Sequence, residues 1–136
     1  MPINVQGVAT LISVFNIPTA ISFYRDILGF EITGISPMLS EDPDDVNWAM
    51  LQLGDGTVML NTAYDPEDRP DGPEAERFAG HSDTCLYFGC PDVDGAFEYL
   101  SSKRLELQPP KVAPYGMKQL YVTDPDGYLV CFQCTA

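Results

Sequence analysis

Apolar and polar positions along the 136 residues follow two periods, and the order of those periods repeats. VATLISVF (8–15) and TCLYFGC (84–90) are short apolar runs of the kind that form strands. Each leads into a residue suited to cap a helix, Asn16 and Asp92, placed 76 residues apart. Behind the first cap, Ile17, Ala20, Ile21, Tyr24 and Leu28 recur at helical spacing, with Pro18 tolerated in the first turn. Behind the second, Val93, Ala96, Phe97 and Leu100 form the same kind of stripe. FEITGI and LELQPPKV then read as strands. Each half closes on a hairpin, WAMLQL-GDG-TVMLNTA and QLYVT-DPDG-YLVCFQ. Gly56 and Gly127, 71 residues apart, are expected to supply the positive-φ positions of the two turns. The pattern is βαβββ, twice over.

Between the halves, YDPEDRPDGPEAERFAGHSD mixes proline, glycine and charge with little apolar content and reads as a surface linker. We therefore expect one domain over 1–136, built of a module 2–63, a linker 64–81 and a module 82–136. The length suits a single domain, and 45% hydrophobic with 20% charged residues is ordinary globular composition.

Charge narrows the partners. Twenty acids oppose seven bases, for a net −13. Half of the acids fall in two short segments, 41–45 and 65–76. Such a chain repels phosphate backbones and anionic lipid, so neither nucleic acid nor a membrane surface is an expected partner. No apolar run approaches the 18 or so residues of a spanning helix, and MPINVQGVATL does not look like a secretory signal. A cytoplasmic setting with free thiols at Cys85, Cys90, Cys131 and Cys134 is the expectation. Cys131-x-x-Cys134 has no second pair to complete a zinc-finger spacing.

FYRDILGFEI after a strand and a helix cap, together with YGMKQLYVTDPDGYLVCFQ near the C-terminus, resembles the vicinal oxygen chelate superfamily. That group includes glyoxalase I, extradiol dioxygenases, and the fosfomycin- and bleomycin-resistance proteins. The resemblance covers nearly the whole chain and implies an α+β fold. Its two tandem βαβββ modules would form an eight-stranded, cleft-enclosing curved sheet, usually in a homodimer. Metal-dependent members carry His, Gln or Glu at four strand positions, counted here to Ala9, Leu60, Cys85 and Cys131. Alanine and leucine cannot ligate, so the resemblance implies no metal cofactor. His81, the single histidine, lies in the linker and reads as solvated. Cys85 and Cys131 would sit on neighbouring strands; lining is favoured for them over a soft-metal, redox or nucleophilic role, since no base adjoins either in sequence.

Strand parity sketches the cleft wall. Leu11 and Ser13 continue from Ala9, and Tyr87 from Cys85. Ala49, Leu51, Leu120 and Val122 read as the helix-packed face, which leaves Trp48, Met50, Gln52, Gln119 and Tyr121 toward the cleft. Leu60 and Thr62, with Cys131 and Gln133, are assigned to it by the same count, and Tyr115 borders it in the Pro-Tyr-Gly turn. This wall holds no acid or base, so it suits a small organic molecule and leaves no general acid–base catalyst in view. Arg69 and Arg77 in the linker could serve as a lid.

The favoured reading is a metal-independent binding protein like the bleomycin-resistance members, with the acidic balance admitting a cationic ligand. Two alternatives stand: a metal-dependent lyase or dioxygenase with an atypical site, and a protein-interaction module.

Overall fold

A computed structural model describes residues 2–136. The chain divides into two compact units, one ending at Arg69 and one running from Pro70 to Ala136. Each holds a four-stranded sheet with helical segments, an α+β fold of eight strands in all.

The first sheet has the order β1-β4-β3-β2. Its strands are β1 (Thr10–Val14), β2 (Glu31–Ile35), β3 (Trp48–Leu53) and β4 (Gly56–Thr62). The second, ordered β5-β8-β7-β6, uses β5 (Cys85–Gly89), β6 (Lys111–Val112), β7 (Met117–Thr123) and β8 (Leu129–Thr135). In both, the opening strand pairs parallel to the closing one, and the remaining pairs are antiparallel. The expected strand LELQPPKV shrinks to two residues, because Pro109 and Pro110 donate no hydrogen bonds to a ladder.

Both helix caps form. Asn16 accepts the Thr19 amide at 3.0 Å, opening α1 (Ile17–Ile21). The helix then widens into a π-turn over Ser22–Ile27, where the Leu28 amide reaches back to the Phe23 carbonyl at 3.0 Å. It stops at Gly29, whose φ of +91° an L side chain resists. Ile17, Ala20, Ile21, Phe23, Tyr24 and Leu28 are all buried, and Tyr24 lies edge-on to Phe30 at 5.5 Å.

In the second unit Asp92 accepts the Gly95 amide at 2.9 Å and caps α3 (Val93–Ser102), which packs on β7 and β8 through Val93 and Leu100. Part of the expected linker is ordered as α2 (Ala75–Gly80), with short 3-10 turns at Pro66–Asp68 and His81–Asp83. His81 packs flat on Tyr128, ring centroids 4.0 Å apart, with Nδ1 2.7 Å from the Asp126 carbonyl. Sequence had placed this histidine in solvent; its ring instead pins α2's end to the β7–β8 hairpin. The buried Asp124 carboxylate folds that hairpin by accepting the amides of Asp126 and Tyr128 at 2.8 and 2.9 Å.

The two hairpins are built differently. Leu53 pairs with Gly56 around a two-residue turn, whereas Thr123 pairs with Leu129 around five residues. The positive φ of the first turn belongs to Gly54 (+57°), which corrects the expectation for Gly56. Gly127 does carry it in the second, at +89°.

Candidate functional site

Alternation along each strand gives each sheet a packed face and an opposite face. In the first sheet Ile12, Val14, Ala49, Leu51, Val58 and Leu60 are all buried, with α1 against β4. Residues directly opposite in a ladder share a face, and Leu60 stands opposite Ala49. Leu60 is therefore core, not cleft lining, and its side chain is fully buried. Thr62 shares its parity at the strand end, where its hydroxyl donates to the Tyr64 carbonyl at 2.9 Å. Both assignments to the opposite face are corrected. The count began from Gly56, and the tighter first turn displaces the register by one residue, which inverts every side chain.

The residues that do occupy this face are Leu11, Met59 and Met50 in one row, Ser13, Asn61 and Trp48 in the next, and Gln52 beside Thr57. Met59 and Asn61 were missed; the two-residue turn was the signal that could have found them. Trp48 lies over Gly34, where an added Cβ would sit 3.4 Å from the ring. Gln52 also edges an open recess of about 680 Å³ with Asp55, Thr57 and the 6–9 segment.

The second sheet brings its candidates together. Tyr87, Cys131 and Tyr121 form one row across β5, β8 and β7, and Gln133, Gln119 and Lys111 fall in the next across β8, β7 and β6. Cys85 continues the same face opposite Leu129. The Tyr87 hydroxyl lies 3.1 Å from that of Tyr121, which donates to Gln119 Oε1 at 3.3 Å. Gln119 Nε2 in turn donates to Gln133 Oε1 at 3.0 Å and to the Tyr115 hydroxyl at 2.8 Å. Five side chains thus share one continuous network. The Gln119 amide is almost wholly buried, while the three phenols stay substantially exposed.

Electrostatics keep the Tyr121 phenol and the two thiols of this face neutral. Its hydrogen bond to Tyr87, then burial, holds the Tyr121 phenol well above its ordinary range. Burial first, then the field of Cys85, pushes the Cys131 thiol up to about 11. Burial raises Cys85 as well. These thiols are poor nucleophiles at neutral pH, since the thiolate is the reactive form. Among the described residues no Asp, Glu or His projects from this face, and its one basic side chain by register is Lys111.

The remaining polar clusters lie elsewhere. Arg69, read as a lid candidate, rests 5.5 Å over the Phe15 ring and donates to Thr62 Oγ1 at 3.3 Å. Arg77 sits within α2.

Comparison with known proteins gives this geometry its context. The sequence profile of the Glyoxalase/Bleomycin resistance protein/Dioxygenase superfamily matches residues 8–132. The chain belongs to that superfamily. No curated protein matches the sequence significantly. Among solved structures, TioX from Micromonospora sp. ML1 superposes with a TM-score of 0.73 at 19% identity, covering 96% of this chain and 99% of its own. TnmS3, an antibiotic binding protein from Streptomyces sp. CB03234, gives 0.70 at 20% identity, covering 100% and 99%. A bleomycin-binding protein complexed with bleomycin gives 0.67 at 15% identity, covering 97% and 100%. At these identities the likeness is one of fold.

Proposed function

We propose that this member of the superfamily is a metal-independent binding protein, holding a small organic molecule in a largely apolar cleft. The observation that carries the reading is the Tyr87–Tyr121–Gln119 network with its branches to Tyr115 and Gln133. A buried amide fixes the orientation of exposed phenols, which offers flat surface for stacking and hydroxyls for orientation. Trp48, Met50, Met59 and Leu11 on the first sheet supply polarizable and apolar surface of the same kind. The fold neighbours named for antibiotic and bleomycin binding point to ligands of that class. The net charge of −13 favours the approach of a cationic one.

Metal independence rests on side-chain chemistry. With the register corrected, the positions where the superfamily resemblance expects ligands carry Ala9, Met59, Cys85 and Cys131. Alanine cannot ligate, methionine is a soft neutral donor, and both thiols are held protonated. We further propose a single domain, a homodimer that covers the open edges at β1 and β5, and a reducing compartment that suits four free cysteines.

The test uses the emission of Trp48, the only tryptophan. Bleomycin and a panel of planar organic cations are titrated into protein dialysed against EDTA and into untreated protein. Saturable quenching of equal affinity in both supports the reading. Binding that vanishes with EDTA and returns with a divalent metal overturns metal independence. An absence of saturable binding by every probe overturns the binding reading itself.

A further inference from the structure

The second sheet contains two cysteine pairs spanning β5 and β8, on opposite faces. Cys85 stands opposite Leu129, so Cys131 is its diagonal neighbour. Diagonal positions lie about 7–8 Å apart, beyond the reach of a disulfide without backbone movement. Cys90 and Cys134 are related differently. The parallel ladder pairs Gly89 with Gln133, and the Cys90 amide continues it by donating to the Gln133 carbonyl at 2.8 Å. Cys90 is thereby brought directly across from Cys134. Neighbouring strands are about 4.8 Å apart, within the roughly 4.4–6.8 Å that separates the Cα atoms of a disulfide.

Other features distinguish the pair. Both residues are half-buried, so a small reagent can reach them. Burial is the largest influence on the Cys90 thiol and raises it, and the field of Cys134 acts in the same direction, which marks the two thiols as neighbours. On the far side of Cys134 in the same row is Lys118, whose ammonium is held by Asp94 of α3 at 2.6 Å.

We propose that Cys90 and Cys134 form a reversible redox site that closes to a disulfide on exchange with a low-molecular-weight disulfide such as oxidised glutathione. One protein thiolate attacks the reagent's S–S bond, forming a mixed disulfide and expelling one small thiol. The second protein thiolate then attacks the mixed disulfide at the protein sulfur, closing the Cys90–Cys134 bond and expelling the other small thiol. The protein thiols are oxidised, the reagent is reduced, and their two protons end on the two released thiols. This site stands independently of the binding reading, although β5 and β8 also carry Tyr87 and Gln133.

The test incubates the reduced, folded chain with oxidised glutathione, alkylates the remaining thiols and maps the peptides. The expected result is loss of two of the four free thiols, a mass lower by two hydrogens, and one linked peptide joining Cys90 to Cys134. Dithiothreitol should restore all four. Cys90→Ser and Cys134→Ser should each leave a glutathione adduct and no internal link, while Cys85→Ser should close as wild type does. Because the wild-type map decides the question, a variant that misfolds does not blur it. Linkage through Cys85 or Cys131, adducts without closure, or four unreacted thiols would each overturn the proposal.

Discussion

The hydroxyls of Tyr87 and Tyr121 lie 3.1 Å apart across the strand that separates them, and the thiol of Cys131 between the two tyrosines is fully buried. Two large side chains on the outer strands have closed over a small one on the middle strand. Gln119 Oε1, 3.3 Å from the Tyr121 hydroxyl, anchors the pair on the β7 side.

That linkage predicts measurable coupling. Tyr121→Phe removes both hydrogen bonds of its hydroxyl, and we expect a loss of about 0.5–1.5 kcal/mol. Tyr87→Phe, with a more exposed ring, should cost less. A double-mutant cycle read by urea unfolding should give a coupling of about 0.5–1 kcal/mol. Strict additivity would mean the two phenols do not cooperate in solution.

The corrected register of β4 makes a second prediction. Leu60 is fully buried opposite Ala49, whereas Met59 is half-buried opposite Met50. Leu60→Ala should cost about 2–5 kcal/mol, as core leucine truncations do. Met59→Ala should cost about 1 kcal/mol. Met59, not Leu60, should then alter the quenching of Trp48 by bound ligand. A reversed order of stabilities would restore the original register.

These contrasts show where the sequence was legible. Asn16 and Asp92 announced their helices because a cap acts on an amide three residues away, and both bonds form. Faces in the second sheet could be read because Cys85, Tyr87, Gln119, Tyr121, Cys131 and Gln133 alternate with apolar residues along well-bounded strands. The first hairpin failed because its register depends on how the turn closes, not on the strand's own pattern. Gly54-Asp-Gly56 offers two glycines, and choosing the wrong one inverted Leu60 and Thr62. The end of the linker was illegible for another reason: its order comes from distant contacts, His81 on Tyr128 among them.

The same contacts set apart two glycines of positive φ. At Gly54 an added Cβ meets nothing within 4 Å, so Gly54→Ala should cost only the left-handed backbone penalty, about 1–2 kcal/mol. At Gly127 a Cβ would strike the Phe78 carbonyl, whose carbon would be 2.9 Å away. Gly127→Ala should therefore destabilise more, and should also release α2. Hydrogen exchange at the amide of Phe78 would report this. Equal urea midpoints for the two variants would show that the Phe78 contact carries no weight.

Stability at alkaline pH should carry the signature of Cys131. Its folded-state thiol is pushed up from 9.0 to about 11, chiefly by burial. A group whose pKa is raised by folding contributes fully below its unfolded value. That contribution falls as pH climbs from 9.0 through about 11, where the unfolded chain ionises and the folded one does not. Tyr121 shifts in the same direction from 10.0, so its effect begins higher. Cys85 and Cys90 are raised too, and each adds to the same decline. Cys131→Ala separates the contributions. Whatever the variant loses in packing, its stability deficit relative to wild type should narrow as pH rises above 9.0. Urea midpoints measured in parallel on the two proteins across that range decide the matter, and a deficit that stays constant would mean the thiol titrates alike in both states.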